Sequence, residues 1–273
     1  MTLSLRRHGL LMVSAPIALA LVLAALLAPW IAPHDPYALD VMVMLEGPTA
    51  SHPLGADELG RDVLSRTLFA AQTSLTVGVI AVLIGVTGGL TVGLSAAYFG
   101  GWVDGALMRL MDILFSFPAI LLAVILMANL GTTVLNAMLA IGIIFIPGFA
   151  RLTRAVAQTV QRQQFLEAAV CLGVPGWRLV AREILPNVIG PVAVEAAVAF
   201  SYAVLLESAL SFLGLGAQPP EPSWGNMIAT GRGFIDQAPW MSLVPGAALF
   251  LTVFAFNVLG DGLRDLMDPH LDD

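Results

Sequence analysis

The chain of 273 residues contains no lysine, one cysteine and few charges of either sign. Each scarcity excludes something. A Walker A loop sets a lysine on the phosphates of its nucleotide, so this polypeptide carries no such site. Cys171 by itself makes no internal disulfide, and its expected role is that of a small apolar packing residue. There is no H-E-x-x-H pair and no Cys/His cluster of zinc type. Charged residues make up 11% of the chain, against about 25% in soluble domains. The net charge of −7 argues against nucleic acid as a partner. What the chain does have is apolar sequence: 58% hydrophobic residues and a mean hydropathy of +0.87. It reads as an all-α integral membrane protein.

A hydrocarbon core takes about 20 residues of helix, and the uncharged runs divide into six spans on that basis. Residues 10–31 are the first. They are longer than the about 7–15 apolar residues of a signal peptide, and Pro29 would follow the plausible cleavage point after Ala28, so the expectation is an uncleaved span. Residues 74–98 are the second. The run Ile113–Ala150 is too long for one crossing, and Gly131-Thr132-Thr133 offers a turn. It is therefore read as a hairpin of two spans, 117–130 and 134–150. Residues 188–210 and 241–260 complete the six, with both termini on one side of the membrane.

Arginine sets the expected orientation. With the N-terminus inside, the inner segments (1–9, 99–116, 151–187 and 261–273) hold Arg6, Arg7, Arg109, Arg151, Arg154, Arg162, Arg178, Arg182 and Arg264. The outer segments (32–73 and 211–240) hold only Arg61, Arg66 and Arg232. This is the positive-inside pattern. Trp30, Trp102, Trp177, Trp224 and Trp240 stand near expected span ends, where aromatic belts form. Gly85, Gly89 and Gly93 recur every four residues and allow another helix to approach closely, either a sister span or a second subunit. The acidic cluster Asp35, Asp40, Glu46, Asp57, Glu58 and Asp62 reads either as a solvated, locally paired cap or as a docking surface. In the cap reading, Arg61, Asp62 and Arg66 pair with one another.

A charge inside the membrane costs roughly 2.5–3.5 kcal/mol on insertion scales. Glu195 and Glu207 carry that cost in the fifth span, with Ser201 and Tyr202 between them. They lie about 120° apart on a helix and near the expected ends, so snorkelling and lining a translocation path both stay open. Asn129, Asn136 and Asn257 are weaker candidates of the same kind.

The inner segment EAAVCLGVPGWRLVAREILPN, Glu167–Asn187, is polar and helix-forming between apolar runs. Phe165, Ala168 or Ala169, and Leu172 share a helical face. Gly173-Val174-Pro175-Gly176 breaks the helix, and Pro175 suits the first position of a new one. Trp177, Val180, Ala181 and Ile184 then continue with helical spacing. The expected geometry is a short helix, a corner, and a second short helix near the membrane surface. Such a pair either docks a partner or lies on lipid.

Glu167-Ala168-Ala169, Gly173 and Ile184-Leu185-Pro186 resemble the EAA loop of binding-protein-dependent ABC importer permeases. Glu183 stands where the broad pattern has an apolar residue, and Val174 where a small polar one is common. Four further stretches are similar to permeases of the dipeptide, oligopeptide and nickel group: His52–Arg66, Ala96–Pro118, Ser211–Met227 and Phe256–Pro269. The resemblance covers nearly the whole chain and is closest to the second of the two permeases such systems encode.

The resemblance implies a type I ABC importer permease fold with six transmembrane helices and a cytoplasmic coupling helix. It also implies an assembly in the bacterial inner membrane. A second permease would share the translocation path, two cytoplasmic ATPase subunits would bind ATP and magnesium, and an external binding protein would deliver cargo such as peptides, glutathione or nickel. No cofactor is expected on this chain. Glu167, Ala168, Ala169, Leu172 and Gly173 would meet the ATPase, with Glu167 offering a charge or capping its helix. Two other classes fit less of the sequence. An intramembrane enzyme needs a base near a nucleophile such as Ser95, yet His8, His34, His52 and His270 all lie outside the spans. A secondary transporter often carries internal repeats, and none is evident.

Overall fold

The computed structural model of the chain describes residues 2–267. The end of the C-terminal tail, 268–273, therefore lies outside the described residues, as do the side chains of Arg6 and Arg7. Among the described residues the regular structure is helical, apart from one isolated bridge between Ala56 and Asp62. Five helices are long and apolar enough to cross a membrane. A sixth crossing is counted if a bent helix pair is taken as one span.

The first long helix is α1, Thr2–Ile31. α2, Val63–Phe99, begins eleven residues before the expected second span, because Asp62 caps it by accepting from the Ser65 backbone N–H. The expected third span, 117–130, matches a single short helix, and the expected loop before it, 99–116, is helical too. α3, Gly101–Phe115, leads at 91° into α4, Ala119–Leu130. Pro118 causes the break, since a proline drives the preceding residue, Phe117, out of the helical region. Gly131, at φ 96, turns the chain into α5, Val134–Gln161, which Thr133 caps.

α6, Gln164–Cys171, is short. α7, Gly176–Leu179, runs through a π-helical turn at Val180–Ile184 into α8, Leu185–Phe212. These three pieces form one continuous apolar helix over Gly176–Phe212, so the expected second surface helix is instead the head of the long fifth helix. A π turn explains why the helix continues past Pro186. Proline has no N–H to donate, and its ring crowds the carbonyl four residues back. The widened π turn, in which the Leu185 N–H bonds the Val180 carbonyl, relieves that clash. α9, Trp224–Gly231, and α10, Trp240–Met267, complete the chain.

The most extensive helix pairing is between α2 and α5, and the glycine stripe makes it. A Cβ on Gly89 would sit 2.3 Å from Phe149 Cβ and 2.9 Å from the Ala150 backbone nitrogen. One on Gly93 would sit 2.6 Å from the Ala150 carbonyl oxygen. Gly85 meets Phe145 and Phe149 in the same way. The stripe therefore faces a sister span. On the neighbouring face, Gly78 admits Phe200 of α8. Two ion pairs tie α3 to the same frame: Arg154 with Asp104, and Arg151 with Asp112 at 2.9 Å. Arg151 also lies over the Phe115 ring.

The segment between α1 and α2 is a locally paired cap, with Asp35, Asp40 and Glu46 exposed and the stretch from Asp57 to Arg66 packed down. Asp57, Arg61, Asp62 and Arg66 are all buried. Arg61 pairs with Asp57 at 2.6 Å and Glu58 at 2.8 Å, and Arg66 with Asp57 at 3.4 Å. Asp62 pairs with neither arginine; it faces His52. Burial, and then the neighbouring Asp57 charge, push the Glu58 carboxyl above its ordinary range. Trp240 Nε1 donates to the Ala56 carbonyl at 3.0 Å. Trp224, fully buried, donates to the Thr67 carbonyl at 3.2 Å. These two indoles lock the cap and α9 onto the bundle, whereas Trp30, Trp102 and Trp177 are exposed as belt residues would be.

Because Gly89 is met by backbone as well as side chain, Gly89→Val is expected to cut the yield of monodisperse protein in detergent several-fold. Gly148→Ala, whose Cβ meets nothing within 4 Å, should leave it unchanged. Size-exclusion profiles of the two variants test the pairing.

Candidate functional site

The corner is built from two helix ends and a glycine. α6 closes with the Leu172 N–H bonded to the Ala168 carbonyl and the Gly173 N–H to that of Val170. Gly173 follows at φ 77, the left-handed residue that ends many helices. Nothing lies within 4 Å of a Cβ placed there, so backbone conformation, and not crowding, calls for glycine. Pro175 stands one place earlier than expected, as the N-cap of α7, and its carbonyl accepts from the Arg178 and Leu179 N–H groups. Gly176 packs against the ring of Tyr98 at the end of α2, close enough that a Cβ there would displace the tyrosine side chain.

The apolar face expected for α6 divides between two directions. Leu166 is buried, and Ala169 and Val174 pack with it against the core that also holds Leu179 and Ile184. Phe165, Glu167, Ala168, Leu172 and Gly173 point outward. Leu172 is 84% exposed, with Phe165, Val170 and Trp177 also uncovered. Cys171 is exposed too, which corrects its expected packing role. Glu183 is half-buried, and its carbonyl accepts from the Asn187 amide at 2.6 Å. The result is a protruding apolar knob with one carboxylate, anchored from beneath by Leu166 and Leu179. Contiguous exposed apolar residues of this kind mark an interaction surface.

The three path candidates separate. Glu195 is exposed and lines a cavity of about 440 Å³ bordered by Phe115, Phe117, Phe145, Phe149 and Tyr202. Ser201 turns inward, and its hydroxyl donates to the Val198 carbonyl at 2.8 Å. Glu207 is 1% exposed. Ser74 of α2 donates to its Oε2 at 2.7 Å, Ser211 to its Oε1 at 2.7 Å, and Ser208 to its Oε2 at 3.4 Å. Ser211 Oγ in turn accepts the Ala217 N–H at 3.1 Å. Glu207 therefore neither snorkels nor lines the cavity; it is a buried crosslink between α2, α8 and the segment after α8. The amides of Asn129, Asn136 and Asn257 bond carbonyls of their own helix or turn. Sequence reasoning named Tyr202 beside Glu195 but missed Phe145 at the cavity, and Ser74 as the partner of Glu207. Helical spacing carries no signal for a contact 133 residues away.

This fold is that of an ABC importer permease. The permease of the inward-facing MetNI methionine ABC transporter superposes with a TM-score of 0.58 at 18% identity, over 72% of this chain and 94% of that one. A second crystal form of that transporter gives 0.61 over 74% and 97%. The family described as binding-protein-dependent transport system inner membrane component matches residues 89–273, and the N-terminal transmembrane domain of oligopeptide transport permease C matches residues 2–48. The chain belongs to that family of inner membrane components, and is a permease subunit and not an enzyme. Among its relatives, the dipeptide transport system permease protein of Alkalihalophilus pseudofirmus is 40% identical over 98% of this chain and 88% of its own length. The di/tripeptide permease protein of Pseudomonas aeruginosa is 42% identical over 93% and 86%. The glutathione permease protein of Escherichia coli O157:H7 is 42% identical over 97% and 88%.

Removing the Glu207 carboxylate leaves buried hydroxyls without their acceptor, at about 1–3 kcal/mol for each unsatisfied group. Glu207→Ala is accordingly expected to lower the thermal midpoint of the detergent-purified chain by several degrees, and Glu207→Gln by less. Fluorimetric melting measures both. Lost uptake with an unchanged midpoint would instead assign Glu207 to the path.

Proposed function

We propose that this chain is one of two different permease subunits in an ATP-driven importer of short peptides, glutathione included. The observation that carries the reading is about 40% identity to dipeptide, di/tripeptide and glutathione permease proteins over nearly the full chain. The second permease completes the path, an external binding protein delivers the peptide, and two ATPase subunits bind ATP and magnesium in the cytoplasm. The absence of lysine, and with it of a Walker A loop, agrees with hydrolysis on other polypeptides.

The chain sits in the bacterial inner membrane with six crossings, the α3–α4 pair counting as one, and with both termini in the cytoplasm. The excess of arginine on that side supports this orientation. Residues 32–73 and 211–240 then face outward, where the binding protein arrives. α6 is the coupling helix, and its outward face seats in a groove on one ATPase. Glu167 contributes charge, Ala168 close approach and Leu172 apolar area, while Gly173 and Pro175 hold the corner. Because Leu166, Ala169 and Leu179 root the knob in the core at the base of α8, a push on α6 reaches the long helix as a near-rigid movement. Glu195 gives the cavity of α4, α5 and α8 one acidic group, which suits a cargo with a protonated amino terminus.

Leu172 protrudes without supporting the fold, so Leu172→Asp is expected to insert normally yet lose co-purification with the ATPase and most peptide uptake. Gly173→Val should abolish uptake as well, because a β-branched residue disfavours the left-handed conformation there. Uptake by cells carrying each variant, with membrane content measured by immunoblot, provides the check; unchanged uptake in both sinks the assignment of α6.

A further inference from the structure

The folded cap brings together three side chains that the transport reading does not use. His34 follows the end of α1, His52 lies in the loop, and Asp62 opens α2. His52 Nδ1 stands 3.1 Å from Asp62 Oδ1, and His34 Nδ1 stands 3.9 Å from the same oxygen. The two imidazoles are stacked with centroids 4.6 Å apart. One ligating atom from each residue lies within 4.8 Å of the others. His52 and Asp62 are buried, while the His34 side chain is 39% exposed, so the cluster opens to water on one side.

We propose that His34, His52 and Asp62 form a binding site for a divalent transition-metal cation of the zinc class. Two imidazole nitrogens and one carboxylate oxygen are the donor set such ions take, with water in the remaining position. Tetrahedral arms of about 2.0–2.1 Å place neighbouring ligand atoms about 3.3 Å apart, between the two distances seen. A hydrogen bond accounts for His52, but a second Nδ1 aimed at the same oxygen from 3.9 Å is beyond hydrogen-bond reach.

The supporting groups are already set. Asp62 Oδ2 accepts from Ser65 N at 2.8 Å and from Ser65 Oγ at 2.7 Å, which leaves Oδ1 turned to the imidazoles. The same Ser65 Oγ accepts the His34 backbone N–H at 3.1 Å, and Thr49 Oγ1 accepts the His52 backbone N–H at 3.0 Å, which fixes the main chain that carries each imidazole. Such outer bonds orient metal ligands. A bound cation would clasp the end of α1 to the start of α2, and through it the cap to the bundle.

The test uses the full chain, purified in detergent through a tag without histidine and stripped with chelator. Zinc chloride titrated calorimetrically is expected to bind at one ion per chain and to raise the thermal midpoint. His34→Ala should weaken binding at least tenfold, while the double variant His8→Ala, His270→Ala keeps it. Absence of saturable binding by the unsubstituted chain, or equal binding by His34→Ala, overturns the site. Should His34→Ala fail to purify, cobalt(II) added to the unsubstituted chain decides. A visible spectrum distinct from the aqueous ion supports the site, and its absence overturns it. None of these readouts depends on transport.

Discussion

The contact on which the rest of the molecule depends is the approach of α2 to α5 through Gly85, Gly89 and Gly93. Lipid offers helices no hydrophobic drive to associate, so a bundle holds through close packing and buried polar bonds. Here the backbone of Ala150 comes so near Gly89 and Gly93 that no Cβ fits between them. That contact brings the C-terminal ends of α2 and α5 together. The Gln161 amide can then reach the Ala97 carbonyl, and Tyr98 presses on Gly176. The corner is therefore seated on the ends of the same two helices that make the bundle's tightest seam.

Polar side chains buried in the bundle serve the same frame. Glu207 satisfies serines from two helices and, through Ser211, orders the backbone at Ala217. Trp224 and Trp240 spend their single donors on carbonyls of α2 and the cap. A buried donor or acceptor left alone is costly, and these partnerships convert that cost into specificity for one packing of this end of the bundle. The opposite end is different in kind. Its arginines pair with Asp104 and Asp112, and its apolar surplus on α6 remains uncovered. One end of the molecule is thus closed on itself while the other leaves apolar surface exposed.

Much of this was readable from the residues. Long uncharged runs announce spans because an unsatisfied backbone in lipid leaves helix as the local solution. Gly131 and Gly173 mark turns because of their backbone freedom, and the EAA pattern marked the corner. Periodicity misled where a proline is absorbed and not obeyed. The spacing of Trp177, Val180, Ala181 and Ile184 suggested a separate short helix, yet the π turn at Val180–Ile184 carries it past Pro186 into α8. Cys171 suggested packing, yet its face of α6 turns outward.

What the sequence determined by itself was the class: an all-helical membrane permease whose nucleotide chemistry lies elsewhere, because composition and lysine content are properties of the chain whatever its fold. Only the tertiary structure decided that Glu195 borders a cavity while Glu207, on the same helix, is sealed against Ser74. It also decided that Asp57, Arg61 and Arg66 are buried together as ion pairs and that His34 meets His52 and Asp62. The Ser74–Glu207 bond and the His34 contacts join residues far apart in sequence, whereas the ion pairs are local but buried only by packing. The facing partner is set by how helices pack, and a one-dimensional pattern holds no record of that.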